Sequence, residues 1–103
     1  MIRKVIHGRG VDKQGRCAHY HSDRDVVGNK CATCGTYWAC HLCHEEYNDH
    51  PFGRMPVDEV AVICGACGHE MDYHAYSAAS ACPGCGHAFN PGCSLHAPIY
   101  FQV

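Results

Sequence analysis

The residues with the clearest chemical meaning are the cysteines and histidines, ten of each in a chain of 103 residues. Eight of the cysteines form four Cys-x-x-Cys pairs, a spacing that lets both thiolates bind one tetrahedral zinc ion. The pairs are Cys31/Cys34, Cys40/Cys43, Cys64/Cys67 and Cys82/Cys85. The sequence therefore predicts a protein that binds zinc.

The last two pairs predict one closed zinc site. Their spacing, Cys-x2-Cys-x14-Cys-x2-Cys, matches that of a four-cysteine zinc ribbon. Four thiolates complete the tetrahedral shell and leave no position for water, so this site is expected to be structural rather than catalytic. His69 and His87 each follow a pair by two residues, and we interpret them as surface residues or neighbours of the site.

The N-terminal half contains the donors for two more tetrahedral sites. His44 directly follows Cys43, and adjacent side chains on a helix point about 100° apart, so these two residues should serve different ions. His50 lies six residues after His44 and can join it from a loop. Spacing does not decide whether Cys17/His19 or Cys31/Cys34 joins Cys40/Cys43; we favour an interleaved arrangement, with three zinc ions in the whole chain. One N-terminal site comprises Cys17, His19, Cys40 and Cys43, and the other comprises Cys31, Cys34, His44 and His50.

The other candidate residues have weaker chemical roles. Cys93-x-x-His96 is either a spare metal site or an ordinary buried cysteine beside a histidine. Cys-x-x-Cys pairs can also carry out thiol–disulfide chemistry. Each pair here is predicted to bind zinc, so redox turnover would first require loss of the metal. Hydrolysis is not expected, because His44-Glu45-Glu46 lacks a second histidine at the required spacing, and the chain is predicted not to be an enzyme. We interpret the remaining histidines as exposed or core residues: His7, His21, His41 and His74.

Metal explains the cysteines better than disulfides do. The first eight residues contain no apolar signal-peptide region, which favours a reducing compartment and a cytoplasmic location. No run approaches the eighteen apolar residues that a membrane helix needs. The hydrophobic share of 47% includes all the cysteines, so the apolar core is small for a chain of this length. Zinc is therefore expected to stabilise the fold.

The predicted fold is a small zinc-stabilised α+β structure with short β-hairpins, zinc knuckles and one short helix, and its C-terminal half is zinc-ribbon-like. The helix is placed at Cys40–Tyr47, a turn at Gly28-Asn29 and an extended segment at His69–Tyr76. Strands are expected at Arg3–His7, Thr36–Ala39, Val57–Ile63 and Ile99–Val103.

A loop with two prolines divides the chain. It runs from His50 to Pro56, and proline ends helices. We therefore predict a single domain over residues 1–103 with two sub-modules, about 11–53 with two zinc sites and about 57–103 with the ribbon.

The order of these motifs resembles the CHY-type zinc finger family. The resemblance rests on Cys17-x-His19-Tyr20, on Cys34-x5-Cys40-x2-Cys43-His44-x5-His50 and on the two knuckles that follow. It implies three zinc ions on one module. The chain is similar in particular to the small stand-alone CHY proteins known as helpers of Tim assembly. That similarity includes His50-Pro51, Ile63-Cys64-Gly65, His69-Glu70-Met71 and the segment from Phe89 to Cys93.

The similarity to these helpers implies a function. Such helpers are thought to keep cysteine-rich clients of mitochondrial import free of inhibitory zinc, which would place the chain in the intermembrane space instead of the cytoplasm. We therefore predict a monomeric, non-enzymatic zinc-binding protein that either exchanges zinc with clients or presents a zinc-built surface to a protein partner.

The alternative function is binding of nucleic acid by the zinc ribbon. Seven of the eight Lys/Arg residues lie in the first thirty positions, where with three aspartates they give a net charge of +4, against −6 for the remainder. A basic face favours nucleic acid, but the ribbon half is acidic and the pI is near 6.5. A salt-dependent shift of DNA or RNA would support this alternative.

Overall fold

The computed structural model describes residues 6–20, 22–89 and 97–102, and one five-stranded sheet organises them. The strands are β1 (Ile6–His7), β2 (Val27–Lys30), β3 (Tyr37–Trp38), β4 (Val60–Cys64) and β5 (Glu70–Asp72). Their order across the sheet is β1-β3-β2-β4-β5. β1 runs parallel to β3, and the other neighbours are antiparallel. The described ranges also contain the short helices α1 (His41–Tyr47), α2 (Tyr73–Ala78) and α3 (Ala97–Tyr100). The predicted zinc-stabilised α+β class is confirmed.

Strands β2 and β4 lie at the centre of the sheet. The sequence of β4, Val-Ala-Val-Ile-Cys, is rich in the β-branched residues that favour strands, and its last four residues are buried. It pairs with β2 so that Val27 lies opposite Cys64. The turn predicted at Gly28-Asn29 is wrong, because both residues belong to β2. Glycine is needed there for close packing, since a Cβ atom on Gly28 would come within 2.9 Å of the Ile63 side chain.

The other predicted strands are confirmed only in part. Those expected at Thr36–Ala39 and Val57–Ile63 are present as β3 and β4 with different ends. For Arg3–His7, the structure shows a strand at Ile6–His7, and residues 3–5 lie outside the described ranges. The pairing of β2 with β4 places strands from both predicted sub-modules in one sheet. The division into sub-modules stays a prediction.

Helix α1 confirms the helix predicted at Cys40–Tyr47. Cys40 is its N-cap, and the Cys40 sulfur accepts a hydrogen bond of 3.4 Å from the backbone N–H of Cys43. At the other end, the Asn48 side chain donates to the carbonyl of His44 at 2.8 Å. The two bonds satisfy a backbone N–H in the first turn and a backbone carbonyl in the last turn, groups that have no partner within the helix.

The prediction of one helix is wrong, because α2 and α3 are also present. The extended segment predicted at His69–Tyr76 is confirmed in its first half, which contains β5, and helix α2 replaces its second half. The helix begins there because the Asp72 carboxylate caps it by accepting a 2.9 Å bond from the Ala75 N–H. Helix α3 replaces the start of the strand predicted at Ile99–Val103. Pro98 suits a first helical turn, because its φ is fixed and the N–H it lacks would have no partner there. None of the helices in the described ranges has the length and apolar character to span a membrane.

The buried residues form two clusters. The larger one surrounds β4 and includes Val62, Met71, Phe89 and Phe101. In the smaller one, four of the five buried members are cysteines, and the fifth is Trp38. The fully buried part of this smaller cluster is therefore mostly thiol, and its packing depends on what those sulfurs bind.

Three of the four Cys-x-x-Cys pairs share one backbone conformation. After Cys31, Cys64 and Cys82 the N–H of the fourth following residue donates to the cysteine carbonyl, at 2.7 to 2.8 Å. That fourth residue is glycine each time, with φ between 71° and 84°, a region that side chains disfavour. The fourth pair, Cys40/Cys43, is followed by His44 instead and opens a helix. The presence or absence of this glycine therefore separates knuckles from the helical pair.

Replacing Tyr37 with phenylalanine is expected to lower the free energy of unfolding by about 1.5–3 kcal/mol. Tyr37 is buried on β3, and its hydroxyl donates a 2.8 Å hydrogen bond to the Glu70 carboxylate. Burial and this carboxylate raise the pKa of Tyr37, so the phenol keeps its proton at neutral pH. The measurement is urea unfolding of the zinc-loaded protein followed by Trp38 fluorescence. Glu70→Gln keeps an acceptor and should cost less; a Tyr37→Phe variant as stable as the parent contradicts the expectation.

Candidate metal centres

The donor side chains of the twelve residues predicted to bind zinc lie together in three groups of four. Within each group, the candidate ligand atoms all lie within 4.8 Å of one another. The grouping is the one that the sequence predicts, and consecutive residues Cys43 and His44 belong to different groups. We call the groups the first site (Cys17, His19, Cys40 and Cys43), the second site (Cys31, Cys34, His44 and His50) and the ribbon site (Cys64, Cys67, Cys82 and Cys85).

Bond lengths to zinc provide a test of whether these groups fit the ion. Bonds of about 2.3 Å to sulfur and 2.0–2.1 Å to nitrogen put two sulfurs of a tetrahedron roughly 3.8 Å apart. The same geometry places a sulfur roughly 3.5 Å from a nitrogen, and two nitrogens roughly 3.3 Å apart. A disulfide would instead hold two sulfurs about 2.05 Å apart.

The first site fits these values. The Cys40 sulfur lies 3.6 Å from that of Cys17 and 3.5 Å from that of Cys43. His19 presents Nδ1, which lies 3.4 Å from the Cys43 sulfur and 3.5 Å from that of Cys40. All three cysteines are at most 2% exposed. Backbone N–H groups of Tyr20 and Arg9 donate to the sulfurs of Cys17 and Cys43 at 3.4 Å, as expected for thiolates.

The second site fits as well. The Cys31 sulfur lies 3.8 Å from Nε2 of His50, and the Cys34 sulfur lies 3.7 Å from Nε2 of His44. The two Nε2 atoms are 3.1 Å apart. Helix α1 supplies His44, which is 1% exposed and packs edge-on against Trp38.

The Cys34 thiol of the second site ionises readily. It is exposed. Partial burial opposes ionisation, but bonds from the Thr36 hydroxyl and from neighbouring groups outweigh it and lower the pKa of Cys34 to about 5. Cys34 is therefore a thiolate at neutral pH, the form that binds metal.

The ribbon site is built from two knuckles. Its sulfur distances are 3.9 Å between Cys64 and Cys85 and 3.6 Å between Cys67 and Cys82. Cys64 is the last residue of β4, so the sheet anchors this site. The second knuckle packs on the first, because a Cβ atom on Gly84 would lie 3.0 Å from that of His69.

The buried thiols need a cation. Burial raises the pKa of Cys40, and the nearby thiols of Cys17 and Cys43 contribute to the increase. Burial likewise raises the pKa of Cys64 to about 12. Several thiolates this close together and out of water repel one another and lose hydration, so they become favourable only around a positive ion. Geometry, donor type and charge together fit Zn²⁺ at each site; that each of the twelve residues coordinates zinc, and that three ions bind, remain predictions.

The other histidines that the structure describes belong to none of the three groups. His7, His69 and His74 are exposed. The ring of His87 lies 2.8 Å from the carbonyl of Asp23. His41 packs on Tyr100, whose hydroxyl oxygen accepts from the His41 N–H at 3.0 Å. His21 and the Cys93-x-x-His96 motif lie outside the described residues.

Sequence reasoning missed Glu46. Its carboxylate lies 3.1 Å from Nε2 of His19, the nitrogen that faces away from the first site, and 3.5 Å from the Arg9 guanidinium. A carboxylate behind a ligating histidine fixes the ring orientation and makes the other nitrogen a better donor. The available signal was spacing, since Glu46 follows Cys43 by three residues and so lies on the same helix face.

Glu46→Gln is expected to weaken zinc binding at the first site by about 10–100-fold, because the carboxylate no longer orients His19. Competition with a chelator of known affinity measures this directly. The matched control is Glu45→Gln, which removes the same charge from the neighbouring exposed position on α1. Equal affinities for both variants would mean that Glu46 has no orienting role.

Comparison with known proteins defines the class of this chain. Residues 17–91 match the CHY zinc finger family, and the chain belongs to that family.

The chain is also similar to particular members over nearly its full length. It is 41% identical to Helper of Tim protein 13 of Saccharomyces cerevisiae, across 99% of this chain and 94% of that protein. Identity to Helper of Tim protein 13 of Kluyveromyces lactis is also 41%, across 99% of this chain and 92% of that protein. An uncharacterized protein of Schizosaccharomyces pombe is 41% identical across 94% of this chain and 88% of its own length.

Proposed function

We propose that this chain is a non-enzymatic protein that binds three zinc ions and exchanges zinc with cysteine-rich protein clients, among them proteins of Tim assembly. The observation that carries the proposal is the set of three four-donor groups with tetrahedral spacing. Near full-length similarity to proteins named Helper of Tim supports the choice of client. By the same similarity we place the chain in the mitochondrial intermembrane space rather than in the cytoplasm.

The absence of catalysis in this proposal follows from the ligand count. A catalytic zinc has three protein ligands and keeps a position for water or substrate. Each group here offers four donors, so a bound ion has a complete shell. Sites of this kind organise structure and can pass metal on by ligand exchange, but they do not activate water.

Two measurements test the proposal. Native mass spectrometry of the zinc-loaded chain should show three ions, whereas four would bring Cys93 and His96 into the ligand set. The chain loaded with two ions is then mixed with a zinc-loaded cysteine-rich peptide under reducing conditions. Movement of zinc between the two supports the exchange function, and unchanged metal counts on both molecules after hours would refute it.

A further inference from the structure

The three sites differ in how much of their sulfur reaches solvent. In the first site all three cysteines are buried. In the second site Cys31 is buried and Cys34 is exposed. In the ribbon site the first cysteine of each knuckle, Cys64 or Cys82, is buried, while the second, Cys67 or Cys85, is exposed. The ribbon site therefore has an inner edge against the core and an outer edge of two exposed sulfurs.

We infer that zinc enters and leaves the molecule first at the ribbon site, through the outer edge formed by Cys67 and Cys85. This inference rests on the proposed exchange function and names the site that performs it. The first site, by the same reasoning, keeps its ion during exchange.

Solvent access decides the rate of ligand exchange. An incoming thiol must approach the ion while a resident sulfur leaves, and it can do so without unfolding only where the leaving sulfur is exposed. At the first site all three sulfurs are buried. An incoming thiol can therefore reach the ion there only after local opening of the fold, which costs free energy.

The second site has an exposed sulfur but is better protected. Once Cys34 leaves, zinc is still held by Cys31 and His44, both at most 1% exposed, and by His50. The Thr36 hydroxyl also donates to the Cys34 sulfur at 3.4 Å and holds it in place. The ribbon site, in contrast, can release two sulfurs in succession without opening the core.

Charge favours the same site. A shell of four thiolates carries more negative charge than shells that include one or two histidines. Its sulfurs are the least neutralised by the ion and therefore the most basic and nucleophilic. Exposed sulfurs of this kind accept a proton from an incoming thiol readily.

The exchange step is a ligand substitution. The sulfur of a client thiol forms a bond to zinc as the bond from zinc to Cys67 breaks, and the proton of the client thiol moves to the Cys67 sulfur. Repetition at Cys85 leaves the ion held by two client sulfurs and by Cys64 and Cys82. Zinc stays divalent and no electrons are transferred.

The decisive experiment maps which cysteines are uncovered first. It uses the zinc-loaded full chain with Cys93→Ser, in which every cysteine belongs to one of the three sites. A chelator is added in less than the amount of one ion per chain, a short pulse of N-ethylmaleimide follows, and peptide mass spectrometry locates the label. A pulse without chelator gives the background.

We expect labelling above background at Cys67 and Cys85 to exceed that at Cys17, Cys40 and Cys43 by at least about tenfold, because the latter require local opening. Labelling that begins at the first or second site, or that is equal at all three, overturns the inference. As a second readout, the fastest phase of zinc release to a coloured chelator should be absent in Cys85→Ser and present in Cys34→Ser. Because the labelling experiment needs no ligand variant, it decides the matter even where Cys85→Ser does not fold.

The result separates this inference from the proposed function. If the ribbon cysteines are uncovered first but the client peptide neither gains nor loses zinc, the exchange function fails and the order of release stands. If zinc moves to or from the client while another site opens first, the function stands and the ribbon assignment fails.

Discussion

Complete removal of zinc should unfold this chain and not merely empty its sites. A structural zinc site contributes roughly 10–16 kcal/mol of apparent binding free energy at neutral pH, whereas a whole domain is stable by only about 5–15 kcal/mol. In the smaller buried cluster four of the five buried members are cysteines, so loss of zinc removes the bonds that hold those buried side chains together. We expect loss of far-ultraviolet circular dichroism and of resistance to proteases.

The fluorescence of Trp38 reports on the second site, whereas circular dichroism reports on the whole fold. It is the single tryptophan of the chain, is 8% exposed and packs against the ring of His44. Its emission should shift to the red when the second site loses its ion. The control is addition of zinc to the reduced, chelated protein, which should restore spectrum and emission. A folded spectrum with all zinc removed would contradict the role assigned to the metal.

Cys64→Ser should remove one zinc ion and destabilise the protein by at least about 4 kcal/mol, the range associated with loss of a bound metal. Cys64 is fully buried at the end of β4 and belongs to the inner edge of the ribbon site. A serine hydroxyl stays protonated near neutral pH and does not replace the thiolate. For a chain of this size the loss corresponds to a fall in Tm on the order of 20 °C.

The matched control is Cys93→Ser, at the one cysteine that belongs to none of the predicted sites. We expect three bound zinc ions and a nearly unchanged Tm for this variant. Metal content by native mass spectrometry and Tm by calorimetry are measured on both proteins. Equal losses of zinc and of stability in both variants would place Cys93 among the ligands and would overturn the predicted ligand set.

Short-range geometry explains which site features were predictable. Two cysteines separated by two residues can reach one ion whatever the rest of the fold does. The side chains of Cys43 and His44 must diverge because they are adjacent on a helix. The membership of the donor set and the separation of Cys43 from His44 therefore follow from spacing, whereas the tertiary structure decides which pairs of donors share a site. Helix α1 was predictable for the same local reason, since its cap, Cys40, lies next to it in the chain.

Elements that depend on distant contacts were not predictable. Gly28-Asn29 has the composition of a turn, but pairing with β4 holds both residues in a strand. The residues around Ile99 have strand-forming side chains, yet they form α3, with the Tyr100 hydroxyl bonded to His41 and Phe101 bridged to Met55. Contacts across more than thirty residues outweighed local preference in both places.

The amino-acid sequence by itself determined the family, the choice of zinc and the membership of the donor set, because each depends on residue type and near-neighbour spacing. The tertiary structure decided which sulfurs face solvent, that Glu46 stands behind His19, and that one sheet joins both halves of the chain. Those features arise when β2 pairs with β4 and the knuckles pack against the core, and burial is a property of that packing rather than of any single segment.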